Sequence, residues 1–203
     1  MKTTSQIEAR LDQIPKTLSA LRDQALSYLP LASTIDSDNN VLIGHAPQVG
    51  SEAYFFTLFA PAQEEWFENF KQRERREIPS LYRALLSVTN GYFGFDLSLF
   101  GLAPSMQESP PLLDRKKRQC HDLSLANRDW IHEFDVEASW FYFGGRALSA
   151  SENVGYFLNE DSLVLALRKS GQTVGEWSNF SLFLEQELAC AAVFAKTPAS
   201  MWS

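Results

Sequence analysis

An α+β fold is predicted: a mainly antiparallel sheet of about five to six strands flanked by helices, with an N-terminal helical extension. Three observations carry this. Helices and strands come in blocks rather than in strict alternation, which separates α+β from α/β order. Between residues 140 and 177 the short apolar runs WFYFGG, GYFLN, LVLALR and TVGEW follow one another, separated by turn signals such as NEDS and KSGQ, as in an antiparallel meander. A chain of 203 residues that is 45% hydrophobic, with Phe 15, Tyr 6 and Trp 5, also has enough apolar surface to close one core.

Taken in order, Ile7, Leu11, Ile14, Leu18, Leu21, Ala25 and Tyr28 recur at steps of four and three, one stripe along a helix. Pro15 interrupts it, so the segment reads as a short helix followed by a longer one starting near Pro15, or as one kinked helix. The stripe is expected to face the core. With only about two to three heptads, a coiled-coil dimer is the lesser alternative, and a monomer or weak homodimer is expected. STIDSDNN (33–40) is a polar link, after which VLI (41–43) and EAYFFTLFA (52–60) read as strands, the second stopped by Pro61. Residues 1–61 form the extension and 62–196 the main domain of a single compact unit.

Residues 62–77 read as a helix anchored by Trp66, Phe67 and Phe70. Pro79 opens the next, with Leu81 or Tyr82, Leu85 and Leu86 on its apolar side, and Gly91 after Asn90 supplies the left-handed residue that closes it. Phe93, Phe95, Leu97 and Leu99 then alternate with small or polar residues, which puts four apolar side chains on one face of a single strand. APSMQESPPLLDRKKR (103–118) contains three prolines and reads as a loop. Asp122 is the expected N-cap of a helix to about Phe134, with Leu123, Trp130, Ile131 and Phe134 inward. Ser178 or Asn179 caps a last helix through about Lys196, inward at Phe180, Phe183, Leu184, Leu188 and Ala191.

The net charge of −7 is unevenly placed: residues 61–118 hold nine Lys+Arg against eight Asp+Glu, residues 119–203 five against eleven. An acidic half repels a phosphate backbone and attracts cationic proteins, which argues against nucleic acid and for a basic protein partner; plain solubility charge is the alternative. The mixed-sign run KQRERRE reads as a solvated helix face, and Arg115, Lys116, Lys117 and Arg118 are a short basic cluster without interleaved aromatics. The N-terminus has no continuous apolar segment and no window approaches the ~20 apolar residues of a membrane span, so a cytoplasmic protein without a membrane anchor is expected.

Catalytic signatures are missing: no GK[ST]-ended phosphate loop, no GxGxxG, no GxSxG and no CxxC. Cys120 and Cys190 are too few for a disulfide framework, and Cys120 beside His121 lacks the second ligand pair a metal needs. His132-Glu133 fails HExxH because position 136 is Val. Carboxylates are plentiful, as at Glu64-Glu65, Glu160-Asp161 and Glu185 with Glu187, but spacing alone names no acid–base pair. No cofactor and no metal are expected, and no enzymatic activity.

Ile78-Pro79, Tyr82-Arg83, Leu85-Leu86, Asn90-Gly91 and Leu99-Phe100-Gly101, in that order, resemble the motif succession of the SUKH superfamily, which includes bacterial immunity proteins, the Syd protein and fungal cell-wall regulators. Asp122-Leu123 with Asn127-Arg128, Phe143-Gly144, and Trp177 through Leu184 with Phe180 and Phe183 continue the resemblance, which covers about residues 62 to 190. The strand at 140–145 reads WFYFGG where many members have an acidic Gly-rich loop, and the Pro-rich insert at 103–118 is long. The resemblance implies a non-enzymatic domain, in many bacterial members a cytosolic immunity protein that blocks a delivered toxin, often a nuclease. On that reading acidic and aromatic residues around the meander occlude the toxin's cleft, with Asp135, Glu137, Trp140, Glu152, Glu160, Asp161 and Glu176 as candidates. A regulatory adaptor docking on a host protein and a small hydrolase are the alternatives.

Overall fold

In a computed structural model, which describes residues 3–47, 50–102, 120–149 and 152–196, nine strands form one antiparallel sheet in chain order. The loop expected at 103–118, with its basic cluster, and the side chain of Ala191 lie outside the described residues. Helices α1 (Thr3–Leu11) and α2 (Ser19–Tyr28) are joined by a 3-10 turn at Lys16–Leu18 that begins directly after Pro15. Proline has no N–H to lose at such a start, so the two-helix reading of the extension holds. From Ile7 to Ala25 the apolar stripe is buried in the protein's own core, and Tyr28 packs against it.

Strands β1 (Thr34–Ile35), β2 (Val41–His45) and β3 (Tyr54–Leu58) come next, then α3 (Glu64–Glu74) and α4 (Ser80–Leu86). The hairpin β4 (Tyr92–Gly94) and β5 (Leu97–Leu99) follows, then α5 (Leu123–Arg128) with a 3-10 turn at Trp130–Glu133. The chain closes with β6 (Phe141–Ser149), β7 (Glu152–Leu158), β8 (Val164–Arg168), β9 (Thr173–Trp177) and α6 (Phe180–Lys196). The α+β class and the antiparallel sheet are as expected.

Nine strands exceed the expected five to six. Part of the difference is β1, two residues inside the polar link, too short to carry any periodicity. Another strand comes from the segment 93–99, which is a hairpin and not one strand: Tyr92 pairs with Leu99 and Gly94 with Leu97, leaving Phe95 and Asp96 as the turn. Phe95 takes φ 53, a conformation favoured by Gly or Asn, so no turn-forming residue marks the position. Phe93 consequently points out, 47% exposed, while Tyr92, Leu97 and Leu99 are buried.

Two helix ends also differ. Helix α4 stops at Leu86 rather than at Gly91, and Gly91, at φ 93, leads into β4 instead. The helix entered at Asp122, whose carboxylate accepts from Ser124 N–H at 2.8 Å, breaks at Asp129 into the 3-10 turn, so that Ile131 and Phe134 reach the sheet. Asn179 caps α6 as expected, its Oδ1 accepting from Leu182 N–H at 2.9 Å.

Both faces of the sheet centre are covered, and the sequence reflects it. On one face the cross-strand row Val41, Leu58, Tyr92, Leu99, Gly144 and Tyr156 runs from β2 to β7 beneath the helices. Phe180 and Phe183 of α6 pack there on Phe143, and Tyr82 of α4 packs on Phe141 and Phe143. On the other face Tyr142 and Phe157 stack at 4.7 Å and meet Phe134, with Phe100 and Trp130 beside them. Continuous runs such as FYF in β6 and YFL in β7 are what a doubly covered strand requires, since alternation serves only a strand with one wet face. A side chain at Gly155 would strike the ring of Phe157 at 2.8 Å and that of Phe134 at 2.9 Å, so glycine here makes room for both rings on the sheet.

The residues that carry the family resemblance stand at joints of this architecture. Ile78 is buried where α3 passes into α4, Pro79 precedes Ser80, and Arg83 lies over Phe67 at 4.2 Å while pairing with Glu64. Asn127 grips the start of β6, accepting from Tyr142 N–H at 3.0 Å and donating to Tyr142 O at 2.8 Å. Trp177 closes β9 against Tyr156 and Phe183. The Tyr82 hydroxyl, fully buried, lies 2.5 Å from Phe100 O and 2.9 Å from Phe143 O, and donates to this carbonyl pair. Burial holds its pKa well above the ordinary phenol value, so it stays a donor. Tyr82→Phe should therefore cost about 2 kcal/mol, the loss of a buried donor to two carbonyls, measured as a lower urea midpoint with unchanged slope.

Candidate partner-binding surface

The surface is built from the β7–β8 turn. Asn159 Oδ1 accepts from Leu163 N–H at 2.8 Å, and Ser162 takes φ 68, so the turn is fixed by its own first residue. Glu160 and Asp161 are thereby held at the apex, both exposed. Beside them the chain approaches β6 through a turn in which Trp140 N–H donates to Glu137 O at 3.0 Å, with Glu137 exposed. Glu176 sits on β9, the edge strand, opposite Leu165, so it too lies at the end of the sheet where β8 begins. Among the described residues none of these four carboxylates makes an ion pair within 4 Å, whereas Glu64, Glu77, Asp129 and Glu133 elsewhere on the surface all do.

The seven candidates do not form one site. Glu137, Glu160, Asp161 and Glu176 all lie toward the end of the sheet at which β8 begins. Asp135 lies against Gly171 in the β8–β9 turn, and Glu152 pairs with Arg168 at 2.7 Å, both at the other end of that five-residue strand, about 17 Å away. Trp140 is half-buried and packs on the core, so it frames the acidic corner rather than extending from it.

Next to the corner a groove of about 760 Å³ runs between the α3–α4 link, residues 138–141 and the β7–β8 turn. Its lining includes Arg75, Arg76, Asn127, Ser139, Phe141 and Glu160. Arg76 is pinned: its guanidinium lies 5.2 Å from the centre of the Phe141 ring, donates to Ser139 O at 2.6 Å and reaches Asn127 Oδ1 at 3.3 Å. Burial lowers its pKa from the ordinary guanidinium value and the Glu160 carboxylate partly restores it. Arg75 ends α3 in the left-handed conformation, φ 52, and is exposed.

A second polar cluster lies inside the fold, at the end of the sheet away from the acidic corner. Arg146 of β6 sits between Asp96 and Glu187, 3.2 Å and 3.1 Å away, and Tyr156 donates its hydroxyl to Glu187. The sequence did hold a sign of this: position 187 falls on the inward stripe of α6 formed by Phe180, Phe183, Leu184 and Leu188. Nothing comparable pointed to Arg75 and Arg76, which sit in a run that reads as solvated helix face.

Cys120 and His121 pack against the fold beside Gly101 and Phe100. Burial pushes the Cys120 thiol up to about 12, so it is no thiolate near neutrality. His121 packs on Phe100 and Trp130, with its pKa lowered by burial. His132 is exposed on the 3-10 turn. Among the described residues no helix is long and apolar enough to cross a membrane.

A comparison of the chain with protein-family models finds no matching family, and a comparison with curated protein sequences finds no match.

Proposed function

We propose that the protein is an immunity-type binding protein that acts without catalysis, docking on a basic toxin of the same cell, a nuclease or another nucleic-acid-modifying enzyme, and covering its cleft in the cytosol. The observation that carries this reading is a set of four exposed carboxylates, Glu137, Glu160, Asp161 and Glu176, toward one end of the sheet, none of them in an ion pair among the described residues. Unpaired carboxylates keep their field available to a partner, and a cluster of one sign steers a cationic surface to it and raises the association rate. The same charges imitate a phosphate backbone to a nuclease cleft while repelling nucleic acid itself. The order of SUKH-like motifs along the chain adds to the reading.

The test is a pull-down against the product of the neighbouring gene, followed by rescue of its toxicity. A neighbour that is toxic, binds the chain and is neutralised by it supports the proposal; a neighbour that neither binds nor kills ends it. With such a partner in hand, the double variant Glu160→Lys/Asp161→Lys should associate about tenfold more slowly at low ionic strength and differ less at high salt. Stopped-flow rates that are equal for the variant and the parent would remove the β7–β8 turn from the interface.

A further inference from the structure

We infer that the groove beside the acidic corner receives a carboxylate of the partner, so that the docking segment is a basic stretch interrupted by one acidic side chain. The inference rests on the binding role proposed above and adds a feature that the acidic corner alone would oppose.

The groove's charges carry it. Five charged side chains line it, Arg76 among them, but Glu74 is paired with Arg73 and Glu77 with Lys71. What remains is two cations, Arg75 and Arg76, against the one carboxylate of Glu160, and among the described residues neither arginine has a carboxylate within 4 Å. A guanidinium has five N–H donors; Arg76 commits two of its nitrogens, to Ser139 and Asn127, and Arg75 makes no side-chain hydrogen bond among the described residues. Phe141 backs Arg76 from one side, so the guanidinium is oriented before anything arrives and little side-chain entropy is left to lose. A forked, preset donor pair matches a carboxylate. A phosphate dianion, with twice the charge, would be repelled by Glu160 at the rim and by Asp161 and Glu137 beyond it.

The sign of one comparison decides the matter. Acetyl-Lys-Lys-Glu-Lys-Lys-amide carries less positive charge than its Gln-centred counterpart, so an acidic surface acting alone binds the Gln peptide more tightly. The groove reverses the order. Titrated into the full chain at low ionic strength and followed by NMR, the Glu peptide should bind about threefold or more tightly than the Gln peptide and shift the Arg76 Nε–H and Asn127 side-chain amide signals. Arg76→Gln should abolish that preference, and so should Arg75→Gln, which breaks no hydrogen bond or ion pair among the described residues and keeps the test valid if the first variant unfolds. Tighter binding of the Gln peptide, with shifts confined to residues around Glu160 and Asp161, overturns the groove inference and leaves the acidic docking surface standing. If neither peptide shifts any signal of the corner, both fall.

Discussion

Replacing Arg146 by alanine should destabilise the protein by about 3–5 kcal/mol, the cost of stripping the cation from a buried ion cluster. Its side chain is 11% exposed and stands between Asp96 at 16% and Glu187 at 10%. It also donates to the Glu187 backbone carbonyl at 3.1 Å, which ties β6 to α6. Without it two carboxylates share a poorly solvated space with no counter-charge. Urea unfolding measures the loss, and the triple variant Arg146→Met/Asp96→Asn/Glu187→Gln should recover most of it, because neutral groups of similar shape carry no such penalty.

The pH dependence of the same variant follows from Asp96. Burial raises its pKa above the ordinary value of 3.8, and Arg146 pulls it back down. A folded-state pKa above the unfolded one means that folding favours the protonated carboxyl: that contribution is fully present below the unfolded pKa and lost as pH rises through the folded one. Removing Arg146 raises the folded pKa further and enlarges the loss. The variant should therefore melt nearest to the parent at pH about 4 and furthest from it near pH 7. Melting curves that stay parallel across that range would show that Asp96 and Arg146 are not coupled.

Gly101→Ala should cost about 3 kcal/mol or more through overpacking that the backbone cannot relieve. Gly101 N–H donates to His121 O at 2.9 Å and Gly101 O accepts from Leu123 N–H at 2.8 Å, which locks it on one side. On the other side Asn90, buried, donates to Leu102 O and accepts from Leu102 N–H, both at 2.7 Å. A methyl group would come within 2.5 Å of Cys120 Sγ and 2.8 Å of Asn90 Oδ1. Gly50→Ala is the control: its new methyl meets only Ala53 Cβ, at 3.8 Å, and should change stability by no more than about 0.5 kcal/mol. Equal losses for the two variants would refute the packing explanation.

Elements with a strong local signal were legible. The stripe from Ile7 to Ala25, the caps at Asp122 and Asn179, and the meander of β6 to β9 all stand where periodicity and turn chemistry put them. The hairpin at Phe95 was not, because a phenylalanine at positive φ is tolerated only when paired strands on both sides hold it. Of the candidate surface, the NEDS turn named Glu160 and Asp161 as an exposed pair, but composition could not separate them from Glu152, whose charge is met by Arg168. Pairing depends on which strand ends lie together, a property of register rather than of local sequence.

By itself the sequence determined the α+β class, the inward faces of α1, α2 and α6, and the acidic apex between β7 and β8, since each follows from nearest neighbours along the chain. Only the tertiary structure decided which carboxylates at one corner go without an ion pair among the described residues, that Arg75 and Arg76 open onto a groove beside them, and that Arg146 is buried between two acids. Charge compensation and burial are set by residues distant in sequence and brought together by strand pairing, and no local pattern carries that information.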